Sequence, residues 1–355
     1  MIFRQLFDPV SSTYTYLLGC AESREAVVID PVFEQHARDA ALIRELGLRV
    51  LYVLDTHVHA DHVTAAWWMK RALQADIVLS RRYDAENVDR PVDHGDVVRF
   101  GSCELEVRAT PGHTSGCVTY VTEARDMAFT GDCLMIRGAG RTDFQGGDVH
   151  EMWRSIQEQI FSLPDDCLIY PGHDYQGRTV STVEEERRFN PRIGGDAREE
   201  DFVGYMDNLG LPHPKLIDIA VPANLHSGRP DTDTPSEDIT WGPVTVTFAG
   251  IPEVSPEWVA RHLGELFILD VRSPSEFGGE LGHLEGSHLI PLDELRGRLD
   301  DVPRDRPVVA VCQSGKRSAK AAEILLQADY AMVANVSGGL IRWSQLALPF
   351  REQES

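Results

Sequence analysis

The stretch T-H-V-H-A-D-H (residues 56–62) decides how the first half of this chain is interpreted. It follows the apolar run Arg49–Leu54, which is typical of a buried strand, so its polar residues are expected on the loop that leaves that strand. Imidazole and carboxylate groups are ligands of borderline divalent metals. Three histidines and one aspartate in so short a loop therefore predict a metal site.

Three more residues of this type close later apolar strands. His113 follows the alternating stretch 98–109, and Asp132 and His173 follow further short apolar runs. A single histidine after a strand is more often a hydrogen-bonded core or surface residue than a ligand. Histidine and aspartate residues after four strands, however, indicate one shared site, because a rigid scaffold presents its functional residues on the loops at its strand ends. These seven residues are called the metal-type residues: His57, His59, Asp61, His62, His113, Asp132 and His173.

The run T-H-x-H-x-D-H, followed by G-H-T, G-D and P-G-H-D, resembles the metallo-β-lactamase superfamily over about residues 10–180. The resemblance implies an α/β fold, an αββα sandwich of two mixed sheets with helices outside and the metal at one edge. The seven residues leave two interpretations open. A dinuclear zinc hydrolase of the glyoxalase II type would use all seven to cleave a thioester. A mononuclear iron site would use two histidines and one carboxylate, leaving positions for substrate and O2.

Three later segments resemble the persulfide dioxygenases, the family of the ethylmalonic encephalopathy protein. They are I-R-G-A-G-R-T-D-F (136–144), D-Y-Q-G (174–177) and I-D-I-A-V-P-A-N (217–224). In addition, about 50 residues separate His173 from a polar stretch, whereas glyoxalase II relatives usually carry a larger helical domain there. The resemblance therefore favours the dioxygenase over the hydrolase.

The resemblance to persulfide dioxygenases implies one Fe(II) per chain, with His57, His113 and Asp132 as its ligands. The other metal-type residues would orient these ligands and water: His59, Asp61, His62 and His173. Arg141 and Tyr175 would line a glutathione pocket, where a guanidinium can hold a carboxylate with two hydrogen bonds. The alternatives are a surface salt bridge for Arg141 and simple packing for Tyr175.

The second half of the chain carries C-Q-S-G-K-R-S (312–318) between an apolar strand over 308–311 and a predicted helix over 318–328. Backbone N–H groups of such a loop and the N-terminus of the helix favour a thiolate at Cys312, and two cationic side chains add to this effect. The spacing C-x4-R is one residue shorter than the C-x5-R loop with which tyrosine phosphatases hold a phosphate.

This shorter loop resembles rhodanese, whose cysteine carries a persulfide, over about residues 242–350. The segments L-D-V-R (269–272) and G-H-L-E-G-S-H-L-I-P (282–291) resemble that family as well. The resemblance implies a second α/β domain with a parallel sheet. It makes Cys312 and Arg317 catalytic and gives substrate binding to the rest of the loop: Ser314, Gly315 and Lys316.

The predicted organisation is a persulfide dioxygenase domain over 1–228, a linker over 229–242 and a rhodanese domain over 243–355. The first domain would oxidise glutathione persulfide with O2 to sulfite and glutathione. The second would transfer sulfane sulfur between thiosulfate and glutathione or sulfite. One alternative is a different enzyme, a zinc thioester hydrolase fused to a rhodanese. The other is a binding protein, a persulfide sensor or carrier without turnover.

Composition limits the partners. The chain has 355 residues, of which 34 are Lys or Arg and 56 are Asp or Glu, so its net charge is −22. This charge disfavours nucleic acids and anionic membranes, and an anionic substrate then needs a locally basic pocket. We expect no membrane span, because no apolar run approaches roughly 18 residues. We expect no signal peptide, because residues 1–12 (MIFRQLFDPVSS) lack the basic-then-apolar layout of one. Six scattered cysteines without a C-x-x-C motif predict reduced thiols and a cytoplasmic location. A homo-oligomer is compatible with the sequence.

Overall fold

The computed structural model describes residues 1–212, 214, 216–230 and 241–350. These residues form two compact units, and the chain passes from the first unit to the second within 231–240, outside the described residues. Most of the predicted linker 229–242 therefore lies outside the described residues as well. Residues 37–45 group with the second unit. The domain limits inferred from the sequence stay a prediction.

The first sheet of the first unit has the strand order β1-β2-β3-β4-β5-β6. Its strands are β1 (Ile2–Asp8), β2 (Thr13–Gly19), β3 (Glu25–Ile29), β4 (Arg49–Leu54), β5 (Asp76–Ser80) and β6 (Arg90–Val92). The pairs β1–β2 and β2–β3 are antiparallel, and the pairs from β3 to β6 are parallel, so the sheet is mixed.

The second sheet has the order β12-β11-β10-β9-β8-β7. Its strands are β7 (Val97–Phe100), β8 (Cys103–Ala109), β9 (Val118–Thr122), β10 (Met127–Gly131), β11 (Leu168–Pro171) and β12 (Ser181–Thr182). β10 and β11 are parallel, and the other neighbours are antiparallel. The alternating stretch 98–109 of the sequence thus forms the hairpin of β7 and β8.

One hydrophobic core lies between the two sheets. It combines side chains of the first sheet, such as Tyr16 and Val27, with side chains of the second, such as Tyr120 and Phe129. The neighbouring residues Val121 and Ala128 instead pack on the opposite face, with side chains of the helices Val149–Ser155 and Glu199–Met206. Successive residues of a strand point to opposite faces. β9 and β10 therefore have one face toward the other sheet and one toward helices, and the predicted αββα sandwich is confirmed.

The helices of the first 230 residues follow or connect these strands. They are α1 (His36–Glu45), α2 (Ala66–Leu73), α3 (Val149–Ser155), α4 (Val183–Phe189), α5 (Glu199–Met206) and α6 (Ile217–Leu225). The Asp148 side chain caps α3 by accepting from the backbone N–H of Glu151 at 2.9 Å. The helix continues to residue 160 through the π-helical turn Ile156–Ile160.

The second unit is built on a sheet with the order β13-β14-β18-β17-β15-β16. Its strands are β13 (Thr245–Val246), β14 (Pro252–Val254), β15 (Phe267–Asp270), β16 (His288–Leu289), β17 (Val308–Val311) and β18 (Val333–Val336). Its helices are α7 (Pro256–His262), α8 (Pro274–Phe277), α9 (Lys316–Gln327) and α10 (Gly339–Gln345). β13 and β14 are antiparallel and the other pairs are parallel, which confirms the predicted parallel sheet.

Candidate functional sites

The structure brings all seven predicted metal-type residues to one end of the sandwich. The loop after β4 carries four of them, and the loops after β8, β10 and β11 carry one each. The rings of His57 and His113 lie 4.9 Å apart, and the ring of His173 lies 6.4 Å from that of His59. The seven residues therefore converge, as expected from their positions at strand ends, and their role as a metal site stays a prediction.

Two histidines and one aspartate form the group that the sequence predicts as metal ligands. His57, His113 and Asp132 offer donor atoms that all lie within 4.8 Å of one another. The His113 Nε2 atom is 3.6 Å from the Asp132 Oδ2 atom. Two donors about 2.1 Å from the same ion are separated by about 3–4 Å, so this spacing fits joint coordination. Two imidazoles and one carboxylate are the donor set of mononuclear Fe(II) oxygenases.

Hydrogen bonds orient both histidines of this group. His113 Nδ1 lies 2.6 Å from the backbone oxygen of Arg141, so Nδ1 carries the proton and Nε2 is left with its lone pair. The hydroxyl of Thr56 donates to Asp30 at 2.8 Å and can only accept from His57 Nδ1, at 3.0 Å. Burial and the neighbouring His59 lower the pKa of His57 well below its ordinary value, which favours the neutral form that binds metals.

His173 lies between two aspartates, next to the predicted ligands. Its Nδ1 is 2.6 Å from Asp132 Oδ1, and its Nε2 is 2.9 Å from Asp61 Oδ2. Burial alone would lower the pKa of His173, but the two carboxylates outweigh it and raise the pKa well above the ordinary value. The same contact lowers the pKa of Asp132 against the opposing effect of burial. One oxygen of Asp132 is thus fixed by His173, and the other faces His113.

His59, Asp61 and His62 form a neighbouring group with donor atoms within 4.8 Å. His59 Nε2 bonds to Asp30 at 3.1 Å, and burial, which lowers the pKa of His59, is outweighed by Asp30, so the pKa rises to about 9. His59 Nδ1 and His62 Nε2 are buried without a hydrogen-bond partner among the described residues. Both atoms can therefore accept or donate to a water molecule or bind a second ion, and the geometry leaves the dinuclear alternative open.

Asp30 and Thr13 were not identified from the sequence, although both belong to this site. Asp30 directly follows β3 and supports Thr56 and His59 through its two carboxylate oxygens. Thr13, at the start of β2, lies 3.0 Å from His173 Nε2. Asp30 is also a polar residue at a strand end, which is the signal that could identify it, but no recognisable metal-binding motif surrounds it.

Arg141 and Tyr175 lie beside the metal-type residues but in different surroundings. The Arg141 guanidinium donates to both carboxylate oxygens of Asp143, at 2.6 and 2.7 Å, and to the backbone oxygen of Pro212 at 2.7 Å. These contacts fit the salt-bridge interpretation, and the role of Arg141 in binding substrate stays a prediction. Tyr175 is 71% exposed and stacks on the His173 ring at 6.0 Å, so it is not packed in the core.

Cys312 directly follows β17 and is buried at the start of the predicted sulfur-transfer loop. The hydroxyl of Ser318 donates to its sulfur at 3.3 Å. Burial raises the pKa of Cys312, but this hydroxyl and the backbone N–H groups of Ser318, Ser314 and Arg317 outweigh it, so the pKa is below its ordinary value. Converging donors thus favour a thiolate, as the sequence predicted for this loop.

Two glycines allow the loop to turn around the sulfur. Gly315 has φ +86°, in the left-handed region, and precedes the first residue of α9. Gly339, at the start of α10, approaches so closely that a Cβ atom there would lie 2.4 Å from the backbone oxygen of Cys312. Leu340 donates its backbone N–H to the same oxygen at 2.9 Å. The loop is therefore packed against α10.

The two cations of the loop differ in their surroundings. Arg317 donates to both carboxylate oxygens of Glu276, at 2.8 and 2.6 Å, and this pairing lowers the pKa of Glu276 to about 2. Ser273 caps the short helix that holds Glu276. Lys316 is exposed and makes no ion pair with the described part of the chain. The catalytic role of Arg317 and the binding role of Lys316 stay predictions.

Comparisons with known proteins find a family match in each half of the chain. Residues 8–173 match the model of the metallo-β-lactamase superfamily, and residues 255–346 match the model of the rhodanese-like domain. The chain is 55% identical to the human protein named "Persulfide dioxygenase ETHE1, mitochondrial" over 228 residues, which cover 64% of this chain and 89% of the human protein.

Two solved structures extend this comparison. The crystal structure of ETHE1 from Myxococcus xanthus has a TM-score of 0.63 and 51% sequence identity, covering 64% of this chain and all of the other. A metallo-β-lactamase from Staphylococcus aureus subsp. aureus COL has a TM-score of 0.59 at 23% identity, covering 95% of this chain and 98% of the other, and it supports the fold alone. Among the described residues, no helix is long and apolar enough to cross a membrane.

Proposed function

We propose that this chain, which belongs to the persulfide dioxygenase family of the metallo-β-lactamase superfamily and carries a rhodanese-like domain, is a bifunctional enzyme of sulfur metabolism. Its first domain oxidises glutathione persulfide, and its second transfers sulfane sulfur through Cys312. The observation that carries the proposal is the convergence of His57, His113 and Asp132 in a chain this similar to a persulfide dioxygenase.

The reaction of the first domain converts glutathione persulfide, O2 and water into glutathione, sulfite and two protons. His57, His113 and Asp132 would hold one Fe(II), since their free donor atoms point to one place. The bound metal supplies the redox chemistry toward O2. The protein orients its own ligands: the Arg141 backbone oxygen holds the His113 ring, Thr56 holds His57, and His173 holds Asp132.

A dinuclear zinc thioester hydrolase is the second candidate, because His59, Asp61 and His62 offer a further set of donors. Metal analysis of the protein purified without added chelator separates the two. About one iron per chain supports the dioxygenase, whereas two zinc ions per chain support the hydrolase. Consumption of O2 with glutathione persulfide is the direct test, and a persulfide carrier without turnover would consume none.

In the second domain the Cys312 thiolate attacks the sulfane sulfur of thiosulfate. A bond forms between Sγ and that sulfur while the S–S bond of thiosulfate breaks, and sulfite leaves with the electron pair. Glutathione thiolate then attacks the outer sulfur, which gives glutathione persulfide and regenerates the Cys312 thiolate. The backbone of Ser314 and Gly315, with Lys316 and Arg317, would stabilise the anions of both steps. The cytoplasmic location stays a prediction, since the human relative is named as mitochondrial.

Replacing Arg141 with alanine is expected to raise KM for glutathione persulfide by about tenfold or more, the value of one charge-assisted hydrogen bond. Iron content should not change, because His113 bonds to the backbone oxygen of residue 141, which alanine retains. Steady-state O2 uptake and metal analysis measure the two quantities. An unchanged KM would assign the guanidinium to its salt bridge with Asp143 alone.

Replacing Ser318 with alanine is expected to shift the pH dependence of sulfurtransfer to higher pH. The thiolate is the reactive form, so activity rises as Cys312 loses its proton, and loss of the Ser318 hydroxyl raises the pKa of Cys312. The pH profile of kcat/KM with thiosulfate measures the shift. Ser314→Ala is the matched control, because it retains the backbone N–H that acts on the sulfur. Equal profiles for wild type and Ser318→Ala would contradict the assignment.

A further inference from the structure

Two side-chain amides hold the backbone of the histidine loop, residues 56–64. Gln145 donates its Nε2 to the backbone oxygen of Val58 at 2.8 Å. Asn224 donates its Nδ2 to the backbone oxygens of His59, at 2.9 Å, and His62, at 2.8 Å. The Oδ1 of Asn224 accepts from the backbone N–H of Thr64 at 2.9 Å. The loop is thus anchored at four of its backbone groups by two residues distant in sequence.

The Asn224 amide has little freedom in this position. It is buried, and it uses both of its N–H groups and its oxygen on the loop. Ser227, just after α6, donates its hydroxyl to the backbone oxygen of Glu86 at 2.7 Å. A Cβ atom at Gly228 would lie 2.2 Å from the backbone oxygen of Thr64. The end of α6 therefore lies tightly against the loop, and Asn224 acts from a fixed position.

Backbone hydrogen bonds to side chains flank the predicted ligand His57 on both sides. Thr56 before it donates its N–H to Asp30 at 2.7 Å, and Val58 after it accepts from Gln145. Neither amide bonds to a side chain of the seven metal-type residues in the described structure, so their effect on the site passes through the backbone. A carbonyl left without its donor in this buried loop would cost free energy and release the backbone from its present position.

We propose that Asn224 and Gln145 are positioning residues that hold the histidine loop in the conformation in which His57 binds the metal. The inference rests on the proposed metal site of that loop. The proposal assigns a physical role to the segment 217–224, which resembles the persulfide dioxygenases in sequence but has no role assigned from that resemblance. Asn224 ends this segment, and Gln145 directly follows the other marked segment, 136–144.

The test compares wild type with Asn224→Asp and Gln145→Glu in the full-length chain freed of metal. Each substitution keeps the shape of the side chain but replaces the donating NH2 group with an oxygen that faces backbone oxygens. Titration with Co(II) is expected to give about tenfold weaker binding or more, the usual effect of losing a group that orients ligands. We also expect a changed visible Co(II) spectrum, and after iron loading a lower kcat with an unchanged KM.

Met206→Ala serves as the control for loss of stability. Met206, the last residue of α5, is buried in the hydrophobic cluster between the second sheet and its helices, and this cluster contains no residue of the histidine loop. Its Co(II) affinity and spectrum should equal those of wild type even if its melting temperature falls as far as that of Asn224→Asp. Should Asn224→Asp fail to fold, the half-buried Gln145→Glu decides the question alone. Wild-type affinity and spectrum in the folded amide variants would overturn the proposal. A wild-type chain that binds no Co(II) and no Fe(II) would instead overturn the proposed function, and this inference with it.

Discussion

Replacing His113 with alanine is expected to remove the iron and the dioxygenase activity together. The His113 Nε2 is one of three donor atoms that converge, and alanine supplies no substitute. The site would keep His57 and Asp132, too few protein ligands to retain Fe(II) through purification. Metal content per chain and O2 uptake with glutathione persulfide measure the two losses. His57→Ala and Asp132→Ala should behave in the same way.

The control for this experiment is His150→Ala, which removes a surface histidine whose ring pairs with Glu199. It should retain the iron and activity of wild type. His59→Ala is the informative comparison, because Nε2 of His59 bonds to Asp30 and only its Nδ1 is free for a ligand. A mononuclear site should keep some iron in this variant. Full iron in His113→Ala would show that the ligand assignment is wrong.

The convergence of the candidate metal ligands could be predicted because it depends on local patterns. β4 matches the predicted strand Arg49–Leu54 at both ends, and the histidine loop follows it directly. Apolar strands followed by polar residues are recognisable over a few neighbouring residues, so the four strand ends could be placed without knowing how the sheets pack. The αββα sandwich was predicted only from the resemblance to a known superfamily, and the strand order of its two sheets was not predicted.

Contacts between distant residues could not be predicted. Asn224 contacts the histidine loop across about 160 residues of chain, and nothing in its neighbourhood indicates an amide that donates twice. The pairing of Arg317 with Glu276 is a further example, since the sequence marks a cation near the cysteine but not the carboxylate that holds it. Arg141 makes a further long-range contact, since its guanidinium donates to the backbone oxygen of Pro212 as well as to the nearby Asp143. A basic residue near an anion-binding site is therefore weak evidence that its side chain binds the anion, until its carboxylate contacts are known.

Replacing Cys312 with serine is expected to abolish sulfurtransfer and to leave persulfide oxidation intact. A hydroxyl forms no anion at neutral pH even among the donors that lower the pKa of Cys312, so no persulfide can form there. The other five cysteines all precede residue 168, and the predicted metal ligands come from the first unit. Cyanide-dependent or glutathione-dependent consumption of thiosulfate should fall to background. O2 uptake with supplied glutathione persulfide should equal that of wild type.

The same variant tests whether the two activities act in sequence. Wild-type protein given thiosulfate and glutathione should consume O2, because sulfurtransfer makes the persulfide that the metal centre oxidises. Cys312→Ser should consume none with these substrates, although it responds to added glutathione persulfide. Cys103→Ser is the matched control, since it removes a partly exposed thiol of the first unit and leaves the loop unchanged. Thiosulfate-driven O2 uptake that persisted in Cys312→Ser would mean that the persulfide arises without the second domain, and the proposed reaction sequence would fail even if both separate activities were present.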